Sequence, residues 1–137
     1  MTMMRSIPAM PVKDIDKAAM FYEIKLGFTV QYKDMKFAKL TRDHVEIHLW
    51  AASDTSWKLR GLSMVDKPID SGAESFLAGT ASCRIEVGNI DDLFTEYKKN
   101  EVLYNPSTIV EVTAWGTREF PILDLHRNLL TFFEMLK

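Results

Sequence analysis

With a single cysteine in 137 residues, no disulfide can form within the chain. Cys83, between Ser82 and Arg84, reads as a small buried apolar residue. No stretch approaches the roughly 18 apolar residues of a membrane span. The opening "MTMMRSIPAMPV" has one arginine, but Pro8 and Pro11 break its apolar run, so it does not read as a secretory signal. A cytoplasmic location without membrane contact is the expectation. No basic block stands out among 17 basic and 19 acidic residues, and a net charge of −2 argues against a nucleic-acid partner. A Gly-x-Ser-x-Gly elbow, a phosphate-cradling glycine loop and a Cys–His signature are all missing, which argues against the nucleophilic and nucleotide-binding chemistries those motifs serve. Hydrophobic residues at 47% and charged residues at 26% are ordinary for a globular chain and argue against disorder.

What the chain does contain is a repeat. "VKDIDKAAMFYEI" from Val12 and "VGNIDDLFTEYKK" from Val87 both read as a strand end, a polar turn, and Ile-Asp opening a helix. Asp14 and Asn89 are natural N-caps. Ile15, Ala18, Ala19 and Tyr22 recur at helical spacing, as do Ile90, Leu93, Phe94 and Tyr97. Short apolar strands, "SIPAMPV" and "ASCRIEV", precede the helices. Three strands follow the first ("FTVQYKD", "KFAKLT", "HVEIHLW"), and a less regular "STIVEVTA", then "REFPILD" and "NLLTFFE", follow the second. The pattern is βαβββ twice, which predicts an α+β fold of two pseudo-symmetric modules forming a cupped sheet. Residues 1–137 then form a single domain, with module one at about 5–52, a linker at 53–80 and module two at about 81–137. The linker has no sustained period and contains Trp57, an indole without an obvious core.

Strand alternation assigns faces. In "HVEIHLW", Val45, Ile47 and Leu49 oppose Glu46, His48 and Trp50; in "SCRIEV", Cys83, Ile85 and Val87 oppose Arg84 and Glu86. The aliphatic faces should pack under the helices. The other faces form either a cavity of mixed chemistry or a plain solvated surface, and alternation alone does not choose.

The duplicated βαβββ pattern resembles the vicinal oxygen chelate superfamily, which includes glyoxalase I, extradiol dioxygenases and fosfomycin-resistance enzymes. Within it, "SIPAMPVKDI", "FYEIKLGFTV", "VEIHLWAASD", "GAESFLAGTASCRIEV" and "WGTREFPILD" are similar to bleomycin-resistance proteins. That resemblance implies a homodimer with two drug crevices at its interface, and an N-terminal strand that crosses to the partner about a hinge proline, matched by Pro8. It implies sequestration of metal-free or copper-bound bleomycin-type antibiotics, with no chemical change to the drug. No cofactor is implied, and any metal arrives on the drug. One departure is "DLHRN", where the family's Asp-Pro-x-Gly-Asn turn has its proline replaced by Leu125 and its glycine by Arg127. Arg127 is therefore expected at positive φ, unfavourable for a side chain with a Cβ.

The competing reading is a metal-dependent enzyme of the superfamily, of lyase or dioxygenase type, with an atypical ligand set. The family's first-strand histidine would fall near Ile7 and its counterpart near Ser82, neither suited to a divalent metal. Glu134 matches the last-strand glutamate, and Glu46 or His48 is available, but two of four positions do not make a site. Glu46 and His48 share a strand face and form either an acid/base pair or a structural one. His44 and His126 fall in predicted turns and read as solvated. Non-enzymatic binding is the stronger reading. A third is a binder of the same fold that has drifted to another flat, cationic ligand.

For a binder, the resemblance places Phe37 and Trp115 on either side of a flat heteroaromatic, with Gly116 leaving room beside the indole. Trp115 folded back on its own module and Phe37 buried in its strand are the plain alternatives. Asp34, Glu46, Glu86 and Glu111 are candidates for a cationic tail, and Tyr32, His48 and Trp50 for the polar head.

Overall fold

The computed structural model describes residues 1–52 and 77–137. Most of the proposed linker, Trp57 included, lies outside them.

Module one runs β1 (Ala9–Val12), α1 (Ile15–Leu26), β2 (Thr29–Lys33), β3 (Phe37–Arg42) and β4 (Val45–Ala51). Module two runs β5 (Ser82–Glu86), α2 (Ile90–Lys99), β6 (Glu111–Val112), β7 (Thr117–Leu123) and β8 (Leu129–Met135). The two sheets have the same topology, β1-β4-β3-β2 and β5-β8-β7-β6. In each, the first strand pairs parallel with the last, and the other pairs are antiparallel. The βαβββ repeat is thus present as read. Within it, "STIVEVTA" contributes only the two residues of β6 to the sheet, and β1 begins after Pro8, whose carbonyl accepts the His48 N–H at 3.0 Å.

Capping explains both helix starts. The Asp14 side chain accepts the Lys17 N–H at 2.9 Å, and Asn89 that of Asp92 at 3.2 Å. Helix α1 stops at Gly27, which sits at φ 78°. A Cβ there would lie 2.7 Å from the Arg42 guanidinium, so the position is closed to other residues on two counts.

The space over Gly27 is taken because Arg42 crosses it to join the modules. Its fork holds Glu96 at 2.8 and 2.9 Å and also donates to the Leu26 carbonyl at 2.7 Å. The Tyr97 hydroxyl donates to that same carbonyl at 2.9 Å, and the Asn100 amide to Lys25 O at 2.9 Å. Carbonyls that the end of α1 leaves without intrahelical partners are therefore satisfied by module two. A second joint is fully buried. Tyr22 donates its hydroxyl to Asp124 at 2.8 Å, and the Asn128 amide donates to Pro11 O at 2.7 Å and to Asp124 at 3.0 Å. Burial, reinforced by Asp124, holds the Tyr22 phenol well above its ordinary pKa. Around these joints, one apolar cluster takes residues from both modules, among them Met10, Tyr22, Leu49, Tyr97, Phe120 and Phe132.

Candidate functional site

Because Ala38, Leu40, Ile47 and Leu49 are buried beneath α1, their neighbours in β3 and β4 point the other way. Register sets Phe37 opposite Trp50, Lys39 opposite His48, and Thr41 opposite Glu46. The Phe37 ring lies 4.7 Å from Trp50, 4.9 Å from His48 and 6.1 Å from Tyr32, each centroid to centroid. Phe37 is half-buried and the other rims stay open, so the face carries an aromatic shelf. A cavity of about 560 Å³ lies beside it, between Phe37, Trp50 and the turn at 34–36.

That turn is organised by Asp34. Its carboxylate accepts the N–H groups of Lys36 and Phe37 at 2.8 and 2.9 Å and the Tyr32 hydroxyl at 2.8 Å. The bond from Lys36, followed by that from Tyr32, holds the carboxyl below the usual range. Its oxygens are committed to positioning Phe37 and Tyr32. Glu46 is committed as well. It lies 2.6 Å from His48 Nε2 and 3.2 Å from Arg5, and the histidine contact, opposed by desolvation and aided by Arg5, depresses its pKa.

Module two repeats the alternation with different chemistry. Ile85, Phe120, Ile122, Leu130 and Phe132 are buried, leaving Arg84, Glu86, Glu119 and Phe133 on the opposite face. Arg84 forks onto Glu119 at 2.8 and 3.3 Å, with its guanidinium carbon 4.7 Å from the centre of the Phe133 ring. Glu86 and Glu111 are exposed on the same sheet. A cavity of about 490 Å³ brings Glu86 and Arg84 together with module-one Glu46 and the arm from Arg5 to Pro8.

Trp115 stands at the rim of module two, 68% exposed, in a turn braced by Thr113 N–H on Thr117 O at 2.8 Å. Most of the ring stays open to solvent, with its indole N–H near enough to Glu119 of the same module to help depress that carboxyl. Gly116 has φ 91° with nothing within 4 Å of a notional Cβ, so backbone conformation, not lack of space, calls for glycine there. Within the chain, and among the described residues, no aromatic ring stacks on the indole, and Phe37 and Trp115 belong to different modules.

Two expectations change, those for His126 and Cys83, and Glu134 is found as a pairing partner. His126 is only partly solvated: its Nδ1 is sealed without a hydrogen-bond partner, and desolvation lowers its pKa. Glu134 pairs in register with Arg118 on the helix side of the sheet, where Arg118 also binds Asp91, so it faces away from Glu46 and His48. Cys83 is only half-buried, and burial raises its thiol pKa. Sequence reading passed over Glu119 and Phe133, although each lies one step from a core residue, Phe120 or Phe132, and parity alone puts both on the outer face. Among the described residues, no three His, Cys, Asp or Glu side chains group as a metal site.

A family model, Bleomycin resistance protein-like N-terminal, matches residues 8–41. The bleomycin resistance protein of Geobacillus stearothermophilus is 47% identical over 135 residues, which is 98% of this chain and 99% of the relative. The chain belongs to the bleomycin resistance protein family. Among solved structures, a bleomycin-binding protein from bleomycin-producing Streptomyces verticillus, complexed with copper(II)-bleomycin, superposes with a TM-score of 0.70 at 22% identity, covering 96% of each chain. Lactoylglutathione lyase from Agrobacterium tumefaciens superposes with a TM-score of 0.67 at 14% identity, covering 96% of this chain and 92% of the lyase. A bleomycin-binding protein and a lyase thus share the fold, so the fold alone does not decide between activities.

Proposed function

We propose that this protein binds bleomycin-type glycopeptide antibiotics, metal-free or copper-bound, and sequesters them without altering them. The observation that carries the reading is the aromatic shelf of Phe37, Trp50 and Tyr32 in a chain 47% identical to a bleomycin resistance protein along nearly its whole length. Flat heteroaromatic rings gain roughly 0.5–1.5 kcal/mol per stacked pair beyond area burial. The functional unit is a homodimer of single-domain chains in the cytoplasm, with the modules linked through residues 53–80. Each of two crevices sets Phe37 of one subunit against Trp115 of the other, and the N-terminal strand exchanges about Pro8. An exposed indole on a braced turn suits that role, since little reordering is needed on binding. Asp34 shapes the shelf, Glu86 and Glu111 offer charge to a cationic tail, and Glu46, His48, Trp50 and Tyr32 line the remainder, with Gly116 setting the Trp115 turn.

The enzyme reading finds less support. Glu46 and His48 engage each other, and the second carboxylate it would recruit, Glu134, faces the other way. Calorimetric titration with metal-free and copper-loaded bleomycin tests the proposal. One drug bound per chain and recovered intact is expected, with Trp115→Ala weakening binding by about 2 kcal/mol while the dimer persists. Unchanged affinity in the variant would refute the stacking role, and drug recovered altered would refute sequestration.

A further inference from the structure

Phe133 sits in β8 between two carboxylates. Register places Glu86 of β5 on one side of it and Glu119 of β7 on the other, and Glu111 of β6 beside Glu119. Side chains paired in register project from the same face. Arg84 comes from the adjacent row, opposite Thr131. Its guanidinium carbon lies over Phe133, 4.7 Å from the ring centre, while both terminal nitrogens hold Glu119. An aromatic face with a carboxylate at its edge is a cation receptor, and here a cation is seated in it.

The geometry points to Arg84 as an internal stand-in for the ligand's cationic group: the Phe133 ring and the Glu119 carboxylate form a cation cage on the ligand-facing side of module two, occupied by Arg84 in the free protein and yielded to the cationic arm of a bound drug. This rests on the drug-binding reading above. Glu119 is well prepared for the part. Its carboxylate also accepts the Thr117 hydroxyl at 2.8 Å, and its side chain is only 15% exposed, so it keeps its position when Arg84 swings away. Arg84 is freer, with its side chain 48% exposed and free space beside it in the 490 Å³ cavity shared with Glu86 and Glu46. An occupant that must be displaced sets a threshold: a ligand fragment without a cation gains nothing at this position, and one with a cation gains only the difference between its own fit and that of the guanidinium. Arg84 is therefore a specificity determinant for the charged end of the ligand.

The test compares bleomycin, whose tail is cationic, with the methylamide of bleomycinic acid, in which a neutral group replaces the tail. Arg84→Met keeps an apolar stem on Phe133 and empties the cage. Its affinity for bleomycin should rise about tenfold, while that for the neutral methylamide stays within about twofold; Arg84→Gln replaces it if the methionine variant does not fold. Glu119→Gln should shrink the difference between the two compounds. Equal changes for both compounds in Arg84→Met, of either sign, would overturn the proposal and leave Arg84 as a brace. If the unmodified protein binds neither compound, the function proposed above fails on its own, and agmatine then decides on the cage. Shifts of the Phe133 ring resonances on adding agmatine to Arg84→Met, absent with the unmodified protein, would uphold it. Equal response or none in both proteins would end it.

Discussion

The two modules share a chain path and differ in what they turn outward. Module one presents rings: Phe37 packs against Trp50 and His48, with Tyr32 alongside. Module two presents charge, with Arg84, Glu86, Glu111 and Glu119 around one Phe133 and a solitary Trp115 at the rim. Their inward faces are alike, because a helix packed on a sheet asks only for apolar side chains of suitable volume. The outward faces are under no such demand. A duplicated fold can therefore divide a ligand between its halves, flat parts to one and charged parts to the other.

This division holds only while the modules keep their relative placement, so the largest effect is expected from cutting the joint. Asp124 is buried and accepts bonds from the Tyr22 hydroxyl, the Asn128 amide and the N–H groups of His126 and Asn128. Asp124→Ala leaves several buried donors without partners and should cost about 3 kcal/mol or more, read from urea unfolding. The exposed Arg84–Glu119 pair should be worth less than about 1 kcal/mol by double-mutant cycle. A cost at Asp124 below that of the surface pair would mean the modules are held together elsewhere. Two separate unfolding transitions would show that they are stable apart.

A smaller effect distinguishes how these carboxylates of the two modules are held. Asp34 is kept low first by a backbone N–H, whereas Arg118 and Arg84 depress Asp91 and Glu119. For all three the folded pKa lies below the unfolded one. Their contribution is thus present above the unfolded carboxylate value near pH 4 and is lost as pH falls through the folded values. Carboxyl titration by NMR in low salt and in about 1 M salt should move Asp91 and Glu119 back toward ordinary values, because exposed ion pairs are screened. Asp34, held by covalently fixed donors, should barely move. An equal response at all three would erase this contrast between the modules.

How much of this was open to sequence reading follows from range. N-caps at Asp14 and Asn89, the inward positions of both helices and the parity of β4 and β5 are set by neighbours a few residues away, and they could be read. The positive φ of Arg127 was also legible, because the family's glycine was missing. The joints were not. Tyr22 and Asp124 are 102 positions apart, and Asn128 and Pro11 are 117 apart, and no periodicity says which chain ends meet. Asp34 looked like a free charge for the same reason in miniature. Its partners are backbone N–H groups, which composition does not display.

The smallest expected effect lies in two turns that answer each other. The β3–β4 turn has Asp43 at φ 52°, and the β7–β8 turn has Arg127 at φ 72°. Aspartate tolerates the left-handed region through its short polar side chain, whereas a long side chain there costs roughly 1 kcal/mol. Glycine relieves that strain but gives back part of the gain as unfolded-chain entropy, about 0.5 kcal/mol or somewhat more. Arg127 is exposed, and the bond it makes in the turn is from its backbone N–H to Asp124 O at 3.0 Å, which glycine retains. Arg127→Gly should thus stabilise by a few tenths of a kcal/mol, and Asp43→Gly should be neutral or destabilising, both read as shifts in urea midpoint. If Asp43→Gly gives the larger gain, the strain at these positions does not follow the length of the side chain. The replacement of glycine by arginine in module two would then carry no cost of its own.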